Sequence, residues 1–232
     1  MESQLAALAA HTDRLLATAR TLDDPAADSL CDGWTRGHVL THVARNAEAI
    51  DRLAQWAMDG ERRDMYPGGT RARDAEIEAG AGRPLDDLVE DVRSTAEALA
   101  PVLERLATAP RAVEQVEMRG GLAVSPDLLP LLRLREVVFH HVDLAAGFTF
   151  ADLEPDLARR FVDDAVTRLR AAAPDLVLSL RSDEGDTWGL GGQDATDAAE
   201  VTGPLAGLLL WLARRDPSGV RSEHLLELPR GS

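Results

Sequence analysis

Leu5, Leu8, Ala9, Leu15, Leu16 and Leu22 recur at helical spacing, which predicts a first helix over residues 3–22, stopped by Asp23-Asp24-Pro25. A loop through Cys31-Asp32-Gly33-Trp34 follows, and Thr35 reads as an N-cap. The stripe Val39, Val43, Ala47, Ile50, Ala54 and Ala57 predicts a second helix that ends before Gly60. Met65-Tyr66-Pro67-Gly68-Gly69 is a turn, and Arg71–Glu78 is a short helix ended by Gly80. Pro84 opens a long helix carrying Leu88, Val92, Leu99, Val102 and Leu106, with Pro101 as a kink inside it and Pro110 closing it. Residues 111–124 read as a short strand or an ordered loop before Gly120-Gly121. Ser125-Pro126 is a cap-plus-proline start for a helix to Ala146, with Gly147 as its C-terminal cap; Pro130 falls early and moves the start a few residues on. Four long helices with these connections predict a four-helix bundle.

The pattern changes after about Phe150, which divides the chain into 1–150 and 151–232. Glu154–Ala172 reads as a helix, Leu176–Leu180 as a strand, and Thr187–Leu190 and Ala198–Thr202 as short strands. Pro204–Arg214 is a leucine-rich helix and Val220–Leu226 a final strand. This second part is a small α+β domain, so the fold class is mainly α, a bundle followed by a small α+β unit. No internal repeat is visible, and Leu228–Ser232, which resembles a protease-site scar, is given no function.

Composition removes whole classes of chemistry. The 232 residues carry a formal charge of −15, and all 25 basic residues are arginine. With no lysine there is no Schiff-base lysine, no Walker-type phosphate lysine and no PLP lysine. Cys31 is the single cysteine, so an internal disulfide, a CxxC pair and a four-cysteine zinc site are excluded. The acidic balance speaks against a general nucleic-acid binder, and no run of about 18 apolar residues offers a membrane span. Met1-Glu2-Ser3-Gln4 lacks the order of a signal peptide, so the expectation is the reducing cytoplasm and a monomer or homodimer there. Aromatics are 4% against 45% hydrophobic residues, so alanine and leucine must build most of the core.

Candidate chemistry lies in the histidines. His38 and His42 share a face of the second helix, and Arg133, Glu136, His140 and Asp143 form a polar stripe on an otherwise apolar helix. Buried polar groups need partners, and bundle cores commonly satisfy such stripes with a metal ion between facing helices. One His from one helix with Glu and His from another gives three N/O ligands and an open position. Zn²⁺ suits that set best, with Fe²⁺, Mn²⁺, Co²⁺ and Ni²⁺ also suited. The plainer reading pairs Glu136 with Arg133 at the surface and leaves His38 to cap its helix. His141 points about 100° away from His140 and packs or hydrogen-bonds elsewhere, while His11 and His224 show no partner pattern.

Gly33-Trp34-Thr35-Arg36-Gly37-His38-Val39-Leu40-Thr41-His42-Val43-Ala44-Arg45-Asn46 and Arg133-Leu134-Arg135-Glu136-Val137-Val138-Phe139-His140-His141-Val142-Asp143-Leu144 resemble the two signatures of the mycothiol-dependent maleylpyruvate isomerase family. Met65-Tyr66-Pro67 with Arg73-Asp74-Ala75-Glu76-Ile77-Glu78 resembles the segment between them. Leu208-Leu209-Leu210-Trp211-Leu212-Ala213-Arg214-Arg215 is similar to a helix that usually ends in Gly-Arg, with Arg214 here in the glycine's place. The resemblance implies a DinB-like four-helix bundle followed by a small α+β domain, and a divalent metal, usually zinc, on His42, Glu136 and His140. It implies mycothiol as the thiol cofactor and a small carboxylate as substrate. The implied reaction turns maleylpyruvate into fumarylpyruvate: a metal-activated thiolate adds to the cis double bond, the enolate rotates, and the thiolate leaves.

Arginines would hold the carboxylates, with Arg215 first, at the family's Gly-Arg position, and Arg73 second. For Arg215 the alternative is a solvated residue at a helix C-terminus. Trp34 and Asn46 are candidates for the substrate or thiol pocket, against core packing and an ordinary polar position. His38 and Asp143 are candidates to orient a ligand from behind, Asp143 against a bond to arginine. Cys31 reads as a small, half-buried residue with no base beside it in sequence. A mycothiol S-transferase acting on another electrophile or biosynthetic intermediate, and a non-enzymatic metal-binding DinB-like module, are the other functions compatible with these residues.

Overall fold

The computed structural model describes residues 2–191 and 199–229. The chain forms two compact units, Met1–Phe148 and Thr149–Ser232. In the first, α1 (Glu2–Ala19), α2 (Arg36–Asp59), α4 (Leu85–Thr108) and α5 (Leu129–Asp143) make the bundle, and α3 (Gly69–Ala81) lies against α2. The apolar stripe of α2 is buried along its whole length, from Val39 and Val43 to Ala54 and Ala57, because this helix faces both α4 and α5.

Thr35 starts α2 as expected: its hydroxyl accepts from the His38 amide, and the His38 ring accepts from the Thr35 amide. Gly60 ends α2 at φ 79°, in the left-handed region. Helix α4 runs unbroken through Pro101. The segment 111–124 holds a two-residue antiparallel pair, β1 (Val116–Glu117) and β2 (Ala123–Val124), around the turn at Gly120-Gly121.

Several boundaries differ from the sequence reading: α3 runs through Gly80 to Ala81, the strand expected at Leu176–Leu180 lies at Leu178–Ser182, and three other helix ends move for identifiable reasons. Helix α1 stops at Ala19, where Thr21 and Leu22 bond back into a turn that buries Leu22. Ser125 caps only the short 3₁₀ turn Pro126–Leu128, and α5 begins at Leu129 with Pro130 in its first turn. Helix α5 ends at Asp143, short of Ala146, because Arg36 reaches across from α2. Its guanidinium donates to the carbonyls of Leu144 (2.8 Å) and Ala145 (3.2 Å), and Ala145, not Gly147, is the first residue past the helix with positive φ (50°).

The second unit contains α6 (Pro155–Ala172), β3 (Leu178–Ser182), β4 (Thr187–Leu190), β5 (Ala199–Gly203) and α7 (Leu205–Arg214). The sheet order is β4-β3-β5, with β3 antiparallel to β4 and parallel to β5. The expected strand at Val220–Leu226 does not form. Only Arg221 pairs, as a single bridge with Thr202, and Ser222 Oγ takes the Glu200 carbonyl (2.7 Å) that a further ladder bond would use. Ala198, expected to open β5, and residues 230–232 of the tail lie outside the described residues. No helix among the described residues is long and apolar enough to cross a membrane.

Two glycines set the approach of α3 to α2. A Cβ on Gly37 would stand 2.1 Å from the Ala81 carbonyl oxygen, and one on Gly80 would stand 2.5 Å from Thr41 Cγ2. Gly37→Ala must therefore push α3 away, and a loss of about 1–3 kcal/mol in urea unfolding is expected. An unchanged midpoint would show that the two helices have room to spare.

Candidate metal centre

Helices α2 and α5 each turn polar residues inward at one level of the bundle. His42 Nε2 lies 3.1 Å from Glu136 Oε2, and His140 Nε2 lies 3.5 Å from the same oxygen. One donor atom from each of the three lies within 4.8 Å of the others. Ligands about 2.0–2.1 Å from a tetrahedral ion sit roughly 3.3 Å apart, so these spacings match a divalent cation shared by all three. Two imidazoles and a carboxylate suit Zn²⁺ and its first-row neighbours and leave a coordination position open. The surface pairing of Glu136 with Arg133 is not what forms. Arg133 is 1% exposed and donates to the Val43 carbonyl and to Asn46 Oδ1, both at 2.8 Å.

The groups around the cluster set its protons. Burial, reinforced by the charges of His140 and Arg73, holds His42 down to about 4 despite its bond to Glu136. Burial also works against charge on His140, but hydrogen bonds with Asp143, Cys31 and Glu136 outweigh it and raise its pKa well above the usual histidine value. For Glu136 burial favours the neutral acid, yet the two imidazoles win and hold it well below the usual carboxylate range. His140 Nδ1 stands 2.8 Å from Asp143 Oδ2, and Asp143 is fully buried. A carboxylate there fixes the Nδ1–H of His140 and turns Nε2 toward the cluster.

Arg73 arrives from α3. One of its amino groups lies 3.1 Å from His42 Nδ1, the other 2.6 Å from Asp74, and its guanidinium stands over the rings of Trp34 and Tyr66 at 5.8 and 5.5 Å. Its side chain is 11% exposed, and its Nε is buried with no hydrogen-bond partner. Because arginine only donates, His42 Nδ1 accepts, and the His42 proton sits on Nε2 toward Glu136. Trp34 walls the cluster, its ring centroid 5.4 Å from that of His42 and 6.5 Å from that of His140.

The remaining candidates fall elsewhere. His38 divides its ring nitrogens between Thr35 and Glu78 Oε2 (3.1 Å) and stacks on Trp34. Asn46 gives its amide oxygen to Arg133. His141 bonds Thr18 and stacks on Phe148. Arg215 belongs to the second unit. It caps α7 at φ 62°, a conformation in which glycine is favoured, and its guanidinium donates to the carbonyls of Leu212 and Pro229.

Sequence reasoning missed Cys31. Its Sγ lies 3.1 Å from Asp143 Oδ2, and Cys31, His140 and Asp143 form a second convergent donor group sharing His140. It missed Tyr66 as well, the second ring flanking Arg73. Only the Met-Tyr-Pro segment hinted at that role.

A helical bundle with a His-Glu-His cluster between facing helices defines a metal-binding class of bundle proteins. The sequence profile of the mycothiol maleylpyruvate isomerase N-terminal domain matches residues 5–145, and the chain belongs to that family. A crystal structure of the mycothiol-dependent maleylpyruvate isomerase superposes with a TM-score of 0.89 at 29% identity, covering 99% of this chain and 96% of the other. A second, of a histidine-to-alanine mutant of such an enzyme, gives 0.88 at 28% identity with the same coverage. No curated protein gives a significant match.

Cation loading has a proton signature that these groups determine. His42 is already neutral near pH 7, whereas His140, with its raised pKa, carries a proton there that an ion must displace. Calorimetric loading at neutral pH in buffers of different ionisation enthalpy is expected to release roughly one proton per cation, and fewer as pH rises through the His140 pKa. Proton release near zero at neutral pH would contradict this assignment.

Proposed function

We propose that this chain catalyses the mycothiol-dependent isomerisation of maleylpyruvate to fumarylpyruvate, with a divalent cation, zinc by its donor set, on His42, Glu136 and His140. The convergence of these three donors in a chain of this family carries the reading. When bound, the cation favours the thiolate of mycothiol, the nucleophile for reversible addition to the activated cis double bond.

The protein's own groups do the rest. Glu136 offsets the cation's charge, and Asp143 holds His140 with Nε2 facing inward. A cation on His42 Nε2 needs the ring proton on Nδ1, where Arg73 also points a donor. With a cation bound there, Arg73 would turn away from His42 and would offer a guanidinium edge to a substrate carboxylate or the developing enolate. Trp34 and Tyr66 both lie within cation–π distance of that guanidinium, at 5.8 and 5.5 Å, and help to hold it. A thiol-dependent enzyme with a single free cysteine suits the reducing cytoplasm.

The test is turnover of maleylpyruvate with and without mycothiol, before and after chelation, alongside conjugation of a generic electrophile. Activity is expected to need both metal and thiol, and Glu136→Ala is expected to lose both cation and turnover. Arg73→Met is expected to bind the cation at least as tightly as wild type while losing about tenfold or more in kcat/KM. Full turnover after chelation or without thiol would refute the proposal. Conjugation of the electrophile without any isomerisation would shift the reading to an S-transferase.

A further inference from the structure

Helices α1 and α4 leave a cavity of about 440 Å³ between them, within the range of small-molecule sites, roughly 300–1,000 Å³. None of its lining residues belongs to the metal cluster or to its Trp34–Arg73–Tyr66 wall. The gap has a sequence cause. Leu8 and Leu16 on α1 and Leu99 and Leu103 on α4 form its walls, but the facing positions Ala9 and Ala100 carry only a methyl group and cannot close it.

Arg133 also lines this cavity, although it is 1% exposed. It enters from α5, and both bonds of its Nη1 go to neutral oxygens, the Val43 carbonyl and the Asn46 amide. Its Nη2 is buried and has no hydrogen-bond partner. Glu136 acts on it only through space, and burial lowers its pKa to about 10. A buried guanidinium with a free donor is costly unless something accepts from it, and an anion is the strongest acceptor available. At the outer edge, Asp13, Glu97 and Glu104 line the same cavity together with Arg20 and Arg93, and Arg93 is ion-paired with Glu97 at 2.5 Å, so the rim keeps a small net negative charge that disfavours a second anionic group.

We propose that this cavity is a binding site for a small monoanionic amphiphile. Its carboxylate meets Arg133 Nη2, and its uncharged hydrocarbon lies along the leucines of α1 and α4. The site is separate from the metal centre, and its occupancy does not depend on the isomerase reading.

Octanoate is the probe, titrated by calorimetry into the full-length chain as isolated, with octan-1-ol as its uncharged counterpart. Octanoate is expected to bind with one-to-one stoichiometry and about tenfold or more tighter than octan-1-ol, as a charge-assisted bond predicts. Ala100→Leu fills the gap from an exposed position without touching Arg133, and it is expected to weaken octanoate by about tenfold or more. Arg133→Met is expected to make acid and alcohol equivalent. Equal binding of acid and alcohol to wild type, octanoate binding unaffected by Ala100→Leu, or a self-association that Ala100→Leu abolishes would each overturn the proposal.

Discussion

A carboxylate drawn into a helical bundle has to be met by donors or by positive charge, and the first unit is arranged to meet Glu136. Two imidazoles from α2 and α5 reach the same carboxylate oxygen. Helix α5 is held in register for this by Arg36, which crosses from the start of α2 to the carbonyls that end α5. The Thr35–His38 capping box fixes where α2 begins, and so where His42 falls one turn later. Gly37 and Gly80 then let α3 come close enough for Arg73 to touch His42. Loosening any of these contacts changes the spacing of three atoms that must sit about 3.3 Å apart to share an ion.

The electrostatics of the unit follow from having arginine as the only strong cation. A chain of net charge −15 is not a general anion binder, yet the guanidiniums of Arg73 and Arg133 are sunk into the bundle, each with a buried donor to spare. Arg73 lies over the Trp34 and Tyr66 rings beside the cluster, and Arg133 lies in the core against neutral oxygens. Arginine tolerates both settings because its charge is delocalised and its high pKa keeps it protonated even when burial lowers it. Lysine in the same places would be driven toward neutrality. The absence of lysine and the single cysteine, which look in sequence like a shortage of nucleophiles, fit a protein whose reactive sulfur arrives with a small thiol.

Much of the fold was legible because it is written in local signals. Thr35 and Gly60 bracket α2, and the stripe from Val39 to Ala57 is buried as its spacing predicts. The convergence of His42 with Glu136 and His140 followed from two short motifs, each weak alone. What escaped was set by distant partners. Nothing near Gly147 says that α5 stops at Asp143, because the residue that stops it, Arg36, lies on another helix. Cys31 looked isolated because Asp143, its partner, is 112 positions away. The alternating residues after Val220 resemble a strand, but side-chain bonding by Ser222 competes with the ladder. The partners of Arg133 were not legible, because helical spacing puts it one turn from Glu136 without telling which groups on α2 wait for it.

The central claim is that His42, Glu136 and His140 hold a cation with a coordination position that takes a thiol. Cobalt reports on this directly, because a thiolate bound to Co²⁺ produces a near-ultraviolet charge-transfer band and the d–d bands report its geometry. The cobalt-loaded protein is expected to show tetrahedral d–d bands, to gain the charge-transfer band when mycothiol is added, and to show neither in Glu136→Ala. A cobalt spectrum that mycothiol leaves unchanged, or one that survives loss of Glu136, would contradict the account.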